Sequence, residues 1–238
     1  MAECLYDLFS ILGVWNYQWH LGGTVASNCG SPGVTRWVIS EMETLDQFLT
    51  ARGVGSSIEG HTAQCPPESQ RIRQLAQSSN AKRLMEIGFN AGHSAHALLN
   101  ACPEATLVSF DIGEHAYGKI GKEFIDGTYP GRHTLVIGDS RDTIPRSDEE
   151  KVDFLFIDGG HALDVACTDI KNCKRLCGPD TVVVMDDVVT DNRAWETDWS
   201  RGPTAAWEAA RAFGLIKHEG HEEYGLGRGV SWGKYVYE

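Results

Sequence analysis

Residues 83–94, RLMEIGFNAGHS, constrain the fold more than any other stretch of this 238-residue chain. A short apolar run containing Glu86 breaks into a turn spaced by Gly88 and Gly92, and a helical pattern follows until Pro103. The pattern predicts a buried strand over 83–87, a tight loop and a helix over 93–102. Such a loop either cradles a nucleotide at the start of the helix or simply connects two elements, and the segment alone favours neither.

Four later apolar runs predict strands that also end in carboxylates. These runs are 105–110 before Asp111, 133–137 before Asp139, 152–157 before Asp158, and 181–185 before Asp186 and Asp187. Because the carboxyl ends of parallel strands lie at one edge of a sheet, the acids should line a single crevice. Asp111 follows Gly92 by 19 residues, the spacing at which an acid commonly binds a ribose. The alternative for Asp111 is an ordinary solvated side chain.

Strands and helices alternate from residue 82 onward, which predicts parallel strands joined by crossover helices. Helices are expected near 115–125, after Ser140, over 162–176 and over 203–213. The last two strands, 215–221 and 229–237, are joined by a glycine-containing loop short enough for a hairpin, so one of them must run antiparallel. The predicted fold class is α/β, a Rossmann-like doubly wound sheet of seven mostly parallel strands with an antiparallel last strand.

The first third of the chain differs from the rest and predicts an N-terminal helical cap. Helical spacing covers 35–52 and 66–79, with a loop over 53–64 between them. We therefore predict an N-terminal cap or extension over residues 1–65 and a cofactor-binding domain over residues 66–238.

Composition narrows the classes of partner. A formal net charge of −12 argues against a nucleic-acid partner, which needs a basic patch. No uninterrupted apolar segment is long enough to span a bilayer, so no membrane partner is expected. The seven cysteines are an odd number and mostly far apart, which predicts reduced thiols and a cytoplasmic location. Cys167, Cys173 and Cys177 fit a helical stripe with Leu163, as core residues rather than a zinc cluster. The sequence leaves open whether the chain forms a homo-oligomer.

Three of the strand-end acids predict a metal site. Asp158, Asp186 and Asp187 would repel one another in a cleft unless a hard cation neutralised them, and carboxylate oxygens suit Mg²⁺. The alternative is that Asp186 caps its strand and Asp187 is solvated.

The motifs together resemble the class I S-adenosylmethionine-dependent methyltransferases, over about residue 66 to residue 238. The segment from Glu86 to Ser94 is similar to their cofactor loop, which commonly reads E-x-G-x-x-x-G-x-S. The residues that match this pattern are Glu86, Gly88, Gly92 and Ser94. Asp111 matches the ribose acid, and Asp139 with Ser140 matches the turn whose acid faces the adenine amino group. The implied cofactor is S-adenosylmethionine, with Asp158 also at the edge of its site.

Within that class the chain looks most like the metal-dependent small-molecule O-methyltransferases of the catechol and macrolide-sugar types. Asp158 matches their first metal acid and Asp186-Asp187 the later pair, which implies Mg²⁺ or Mn²⁺. The catechol type usually has Asp-Asn there, so the Asp-Asp pair looks more like the sugar type. Asp158 then also belongs to the catalytic set, because a divalent cation activates the acceptor hydroxyl.

His161 is the candidate general base. It follows Asp158 by three residues, at the position where the catechol type carries its lysine base. Imidazole side chains as a class exchange protons near neutral pH, which suits a general base at physiological pH. A structural role, or a place beside the metal ligands, is the alternative for His161, and His218 and His221 are weaker rivals for the base.

The predicted function is a Mg²⁺-dependent S-adenosylmethionine O-methyltransferase that acts on a hydroxyl of a small molecule, a sugar or a phenol. One alternative is a metal-independent N- or carboxyl-methyltransferase of the same fold. Another is a module that binds S-adenosylmethionine or a nucleotide without turnover.

Overall fold

A single seven-stranded sheet organises the protein, with the strand order β3-β2-β1-β4-β5-β7-β6. The computed structural model describes residues 44–55, 58 and 60–237. The strands are β1 (Arg83–Ile87), β2 (Thr106–Asp111), β3 (His133–Ile137), β4 (Val152–Ile157), β5 (Cys177–Met185), β6 (Ile216–Gly225) and β7 (Arg228–Tyr235). The first five strands pair in parallel, whereas β7 runs antiparallel to both β5 and β6. The predicted fold class is confirmed.

Helices cover both faces of the sheet. They are α1 (Leu45–Ala51), α2 (Pro66–Ser78), α3 (His93–Ala101), α4 (Tyr117–Thr128), α5 (Ser140–Arg146), α6 (Leu163–Cys173) and α7 (Asp198–Ala212). Short 3₁₀ turns cover Thr62–Gln64, Lys174–Leu176 and Arg193–Trp195. None of the helices in the described part of the chain is long and apolar enough to cross a membrane.

The alternation of side chains along the strands produces two apolar cores. On β4, Phe154 and Phe156 pack in the core beneath α1–α4, whereas Leu155 and Ile157 pack in the core beneath α5–α7. Successive strand residues point to opposite faces, so one strand feeds both cores. The same period places Asp158, two residues after Phe156, on the side of the sheet that α2 covers.

The boundary between α6 and β5 differs from the prediction. The helical stripe was expected to include Leu163 and Cys177, but Leu163 is exposed and Cys177 is the first residue of β5, paired with Val152. Gly178 looked like the end of a helix because glycine often ends helices. It lies instead inside an irregular start of β5, where the β4–β5 register shifts between Val152 and Phe154. The five described cysteines are free thiols.

Helix α7 begins earlier than predicted. Pro203 suggested a start at residue 203, but the helix begins at Asp198 and holds Pro203 inside it. The polar residues Thr197 and Ser200 cap the start of the helix, and the Thr197 backbone N–H donates to the Ser200 hydroxyl at 2.9 Å. A polar cap therefore outweighed the proline signal.

The predicted cap over residues 1–65 lies mostly outside the described residues. Its described part contains α1 and the 3₁₀ turn at Thr62–Gln64, and the buried side chains of Leu45 and Leu49 pack in the same core as α2–α4. The division at residue 65 stays a prediction.

Candidate cofactor and metal site

The loop after β1 is shaped by two glycines in the left-handed region. Gly88 has a φ of +94° and Gly92 a φ of +90°. A Cβ atom on Gly88 would lie 1.8 Å from the carbonyl oxygen of Asp158, so only glycine lets the ends of β1 and β4 approach this closely. The first glycine of the motif thus fixes the position of a predicted metal acid as well as the loop.

Asp111, at the end of β2, holds this loop in place. Its Oδ2 accepts hydrogen bonds from the backbone N–H groups of Phe89 and Asn90, both at 2.9 Å. Its Oδ1 accepts one from the N–H of Gly113 at 2.7 Å. The carboxylate also lines the central cavity, where a ribose hydroxyl can reach it.

Asp139 and Ser140 lie at the end of β3, on the same cavity. Asp139 caps α5 by accepting from the backbone N–H of Arg141 at 2.9 Å, and it pairs with the Arg141 guanidinium at 2.6 Å. The bonds from the Arg141 side chain lower the pKa of Asp139 to about 2. The Ser140 hydroxyl donates to Asp169 at 2.6 Å. Arg141 is a cavity residue that the sequence did not single out.

Glu86 is buried below the loop and is not among the residues that line the cavity. Its Oε1 accepts a hydrogen bond from the Ser109 hydroxyl at 2.6 Å, and burial raises its pKa to about 7. Ser94, the last residue of the motif, does line the cavity. Glu86 therefore supports the loop from within the sheet, while Gly88 and Ser94 of the same motif line the cavity.

These side chains surround one cavity of about 750 Å³ at the carboxyl ends of the parallel strands. The predicted site residues that line it are Gly88, Ser94, Asp111, Asp139, Ser140, Asp158, His161 and Asp187. Gly92 begins α3 just behind the wall. The topology explains the location, since ligands in open α/β sheets bind where the strand order reverses, here between β1 and β4.

Three side chains at one end of the cavity could hold a metal ion. Asp158, His161 and Asp187 each offer one ligand atom, and these atoms all lie within 4.8 Å of one another. His161 Nε2 lies 3.2 Å from Asp187 Oδ2. Asp187 has a φ of +56°, a strained conformation for a residue other than glycine that often marks functional sites. Asp186, the third predicted ligand, is not in this group and lies 2% exposed beneath it.

The electrostatics of this end favour a bound cation. Burial, followed by the nearby carboxylates, raises the pKa of both Asp158 and Asp186 well above the usual range. Burial also raises the pKa of Asp187, against the opposing effect of His161. Asp186 Oδ1 and Asp187 Oδ1 are buried without a hydrogen-bond partner. Buried carboxylate oxygens that accept no hydrogen bond are the donor set that a hard divalent cation prefers, so these residues fit Mg²⁺ or Mn²⁺.

Two charged residues of this region were missed by the sequence analysis. Glu68, in the first turn of α2, is fully buried, and Arg228, at the start of β7, lies 3.6 Å from Glu68 and 4.0 Å from Asp187. Neither carried a signal, because an acid in a first helical turn and an arginine after a hairpin turn are both common on surfaces.

Some histidines line the cavity, whereas others lie outside its lining. His61 stacks on His93 with ring centroids 3.9 Å apart, and both line the cavity. Neither was predicted to do so. His218 accepts from Trp207 Nε1 at 3.2 Å, and His221 lies between Ser231 and Glu223, so both rivals of His161 are engaged outside the cavity lining. His161 is the predicted base that the structure brings to the metal group.

Comparison with known proteins supports the resemblance. Residues 85–188 match a family model described as "Methyltransferase domain". A curated Mycobacterium sp. (strain JLS) protein named "Putative O-methyltransferase" is 33% identical over 106 residues, which span 43% of this chain and 48% of that protein. The chain thus matches about half the length of this curated relative. The resemblance to the class I methyltransferases is confirmed over the matched segment, residues 85–188.

Solved structures share the fold at low sequence identity. The O-methyltransferase from Bacillus cereus in complex with SAH has a TM-score of 0.66 and 19% identity, covering 83% of this chain and 93% of that one. The O-methyltransferase TomG from Streptomyces achromogenes, in complex with SAM, has a TM-score of 0.64 and 19% identity, covering 84% and 93%.

Proposed function

We propose that this chain is an S-adenosylmethionine-dependent O-methyltransferase that uses Mg²⁺ or Mn²⁺ and methylates a hydroxyl of a small molecule, a sugar or a phenol. One observation carries the proposal, namely that the Asp158–His161–Asp187 group opens into the same cavity as the Gly88 loop. Cofactor and acceptor would then meet in one enclosed space. Holding two bound reactants close together and correctly oriented can supply about 7–11 kcal/mol of the barrier to a displacement between them.

Different residues along the cavity would bind different parts of the cofactor and the cation. Asp111 and the loop after β1 would hold the ribose, and Asp139 with Ser140 would hold the adenine. Asp158 and Asp187 would hold the cation, with Asp187 Oδ1 as a free oxygen. When bound, a divalent cation lowers the pKa of a ligated hydroxyl and fixes its direction.

His161 is the proposed proton acceptor. Its side chain is 39% exposed, and its Nε2 lies 3.2 Å from Asp187 Oδ2. A neighbouring carboxylate orients the imidazole and stabilises its charged form after it takes a proton. Nothing else in the predicted set combines a titratable nitrogen with this access, since His218 and His221 are engaged elsewhere.

The test is a methyl-transfer assay on purified protein with a panel of phenols and sugars, in Mg²⁺ or Mn²⁺ and then in EDTA. We expect turnover with metal only. Asp187→Asn should abolish turnover and leave cofactor affinity within about twofold, while the exposed control Asp142→Asn should behave like the parent.

The other outcomes identify the alternatives. Turnover in EDTA would support the metal-independent N- or carboxyl-methyltransferase, for which the Arg228 guanidinium near Asp187 is an internal counter-charge. Cofactor binding without turnover on any acceptor would support the non-catalytic module. The cytoplasmic location and the lack of a nucleic-acid partner stay predictions, and the oligomeric state stays open.

A further inference from the structure

Glu68 is an unusual carboxylate for its place in the chain. It lies in the first turn of α2, well before the matched methyltransferase segment, yet it is 0% exposed. Both of its carboxylate oxygens are buried without a hydrogen-bond partner. A buried carboxylate with neither oxygen bonded is strongly disfavoured unless a positive charge lies close to it.

The positive charge near Glu68 is the Arg228 guanidinium, which also lies close to the acids of the proposed metal site. Arg228 Nη1 lies 3.6 Å from Glu68 Oε2 and 4.0 Å from Asp187 Oδ1. Arg228 Nη2 donates to Gln64 at 3.2 Å, so part of the guanidinium is already used. A single arginine therefore faces four acids, namely the buried Glu68, Asp186 and Asp187 and the partly buried Asp158.

The strand geometry places Asp158 and Asp186 on the side of the sheet where Glu68 lies. Phe156 on β4 and Val184 on β5 pack in the core beneath α1–α4, and Asp158 and Asp186 follow each of them by two residues. Both carboxylates therefore point to the side of the sheet that α2 covers. The Glu68 carboxyl lies within hydrogen-bonding reach of the Asp186 carboxyl, so the two groups approach each other closely.

We propose that Glu68 is a positioning residue of the divalent-cation site, contributing its carboxylate charge to the stabilisation of the bound cation beyond its contact with Arg228. The inference rests on the proposed function, because the cation at Asp158 and Asp187 belongs to it. It adds an acid from α2 to a site otherwise built from strand ends. The rival explanation is that Glu68 only pairs with Arg228.

Metal affinity separates the two explanations. The experiment titrates Mn²⁺ into the full chain without acceptor, by calorimetry and by electron paramagnetic resonance of free Mn²⁺. Glu68→Gln, which keeps the shape and removes the charge, should weaken Mn²⁺ binding at least about tenfold. Arg228→Gln should tighten it about threefold to tenfold, because a competing positive charge 4.0 Å from Asp187 is removed.

The double variant Glu68→Gln with Arg228→Gln distinguishes a role at the cation from a role that is limited to pairing with Arg228. If Glu68 acts on the cation, Glu68→Gln should still weaken Mn²⁺ binding about tenfold in the Arg228→Gln background. An effect below about twofold in that background would mean that Glu68 acts only through Arg228, and the inference would be overturned. Glu150→Gln, an exposed acid paired with Arg83, is the matched control and should leave the affinity unchanged.

Two further measurements distinguish a failure of this inference from a failure of the proposed function. Cofactor affinity should stay within about twofold in Glu68→Gln and Glu68→Asp, since Glu68 is not among the residues that line the cavity. A parent protein that binds no Mn²⁺ would overturn the metal part of the proposed function together with this inference. A parent that binds Mn²⁺ with unchanged affinity in Glu68→Gln would overturn this inference alone.

A conservative variant covers the case in which Glu68→Gln does not fold. Glu68→Asp keeps the charge and withdraws the carboxylate by one methylene, so Mn²⁺ binding should weaken by about threefold to tenfold. Parental affinity in Glu68→Asp would count against a role that depends on the position of the carboxylate.

Discussion

Replacing Gly88 with alanine should damage both the fold and the metal site, and its cost follows from two separate terms. The first is the left-handed φ of +94°, which costs an L-residue about 1–2 kcal/mol. The second is the Cβ atom 1.8 Å from the Asp158 carbonyl oxygen, which forces a backbone shift of the kind that costs about 1–3 kcal/mol. Gly88→Ala should therefore lower the free energy of unfolding by about 2–5 kcal/mol.

A matched control isolates the steric term. Gly131 has a φ of +74°, and a Cβ built on it meets nothing within 4 Å. Gly131→Ala should therefore lose only about 1–2 kcal/mol. Urea unfolding followed by circular dichroism measures both values, provided that the m-values agree.

Equal losses at the two positions would refute the claim that the ends of β1 and β4 need a glycine contact. Since the clash falls on Asp158 itself, Mn²⁺ affinity should also fall in Gly88→Ala and stay unchanged in Gly131→Ala.

Three other predictions test single groups. Asp111→Ala should weaken S-adenosylmethionine binding by about 1.5–3 kcal/mol, because it removes charge-assisted hydrogen bonds to the ribose and to the loop. Calorimetry measures this loss, and unchanged affinity in a folded variant would contradict the ribose assignment. His161→Ala should slow single-turnover methyl transfer about 10²–10⁴-fold with cofactor affinity kept, whereas a loss under about tenfold would return His161 to a structural role. Glu86 has a folded pKa raised from 4.5 to about 7 by burial, so its contribution is full below pH 4.5 and is lost as the pH rises toward 7. The stability of Glu86→Gln relative to the parent should therefore rise by about 2–3 kcal/mol from pH 5 to pH 8 in urea unfolding, and a pH-independent difference would contradict the raised pKa.

The sheet was predictable because burial leaves a strong mark on central strands. Runs such as Val152–Ile157 are apolar at nearly every position and end in a polar residue, so both of their bounds agree with the structure. The site residues at the strand ends followed from the same pattern, since parallel strands bring their carboxyl ends together. The ends of β5 and α7 were harder, because Gly178 and Pro203 are local signals that packing and capping overrode.

Glu68 and Arg228 show why the charge balance of the site could not be predicted. They lie 160 positions apart in the sequence and meet only through the docking of α2 and β7 at the sheet. Neither has a periodicity or motif that distinguishes it from a surface charge. Asp186 also falls outside the Asp158–His161–Asp187 group, although it is the sequence neighbour of Asp187.

The strand order has a consequence for how this protein emerges from the ribosome. β6 is made before β7 but lies outside it, at the edge of the sheet, and β7 alone connects it to β5. A nascent chain that has just exposed Ile216–Gly225 therefore carries a strand with no docking partner until Arg228–Tyr235 has followed. Unpaired strands invite association between chains, and charge on such a strand opposes it. β6 carries Glu219, Glu222 and Glu223 against a single Lys217, so repulsion between the β6 segments of two nascent chains should oppose their association before the hairpin closes.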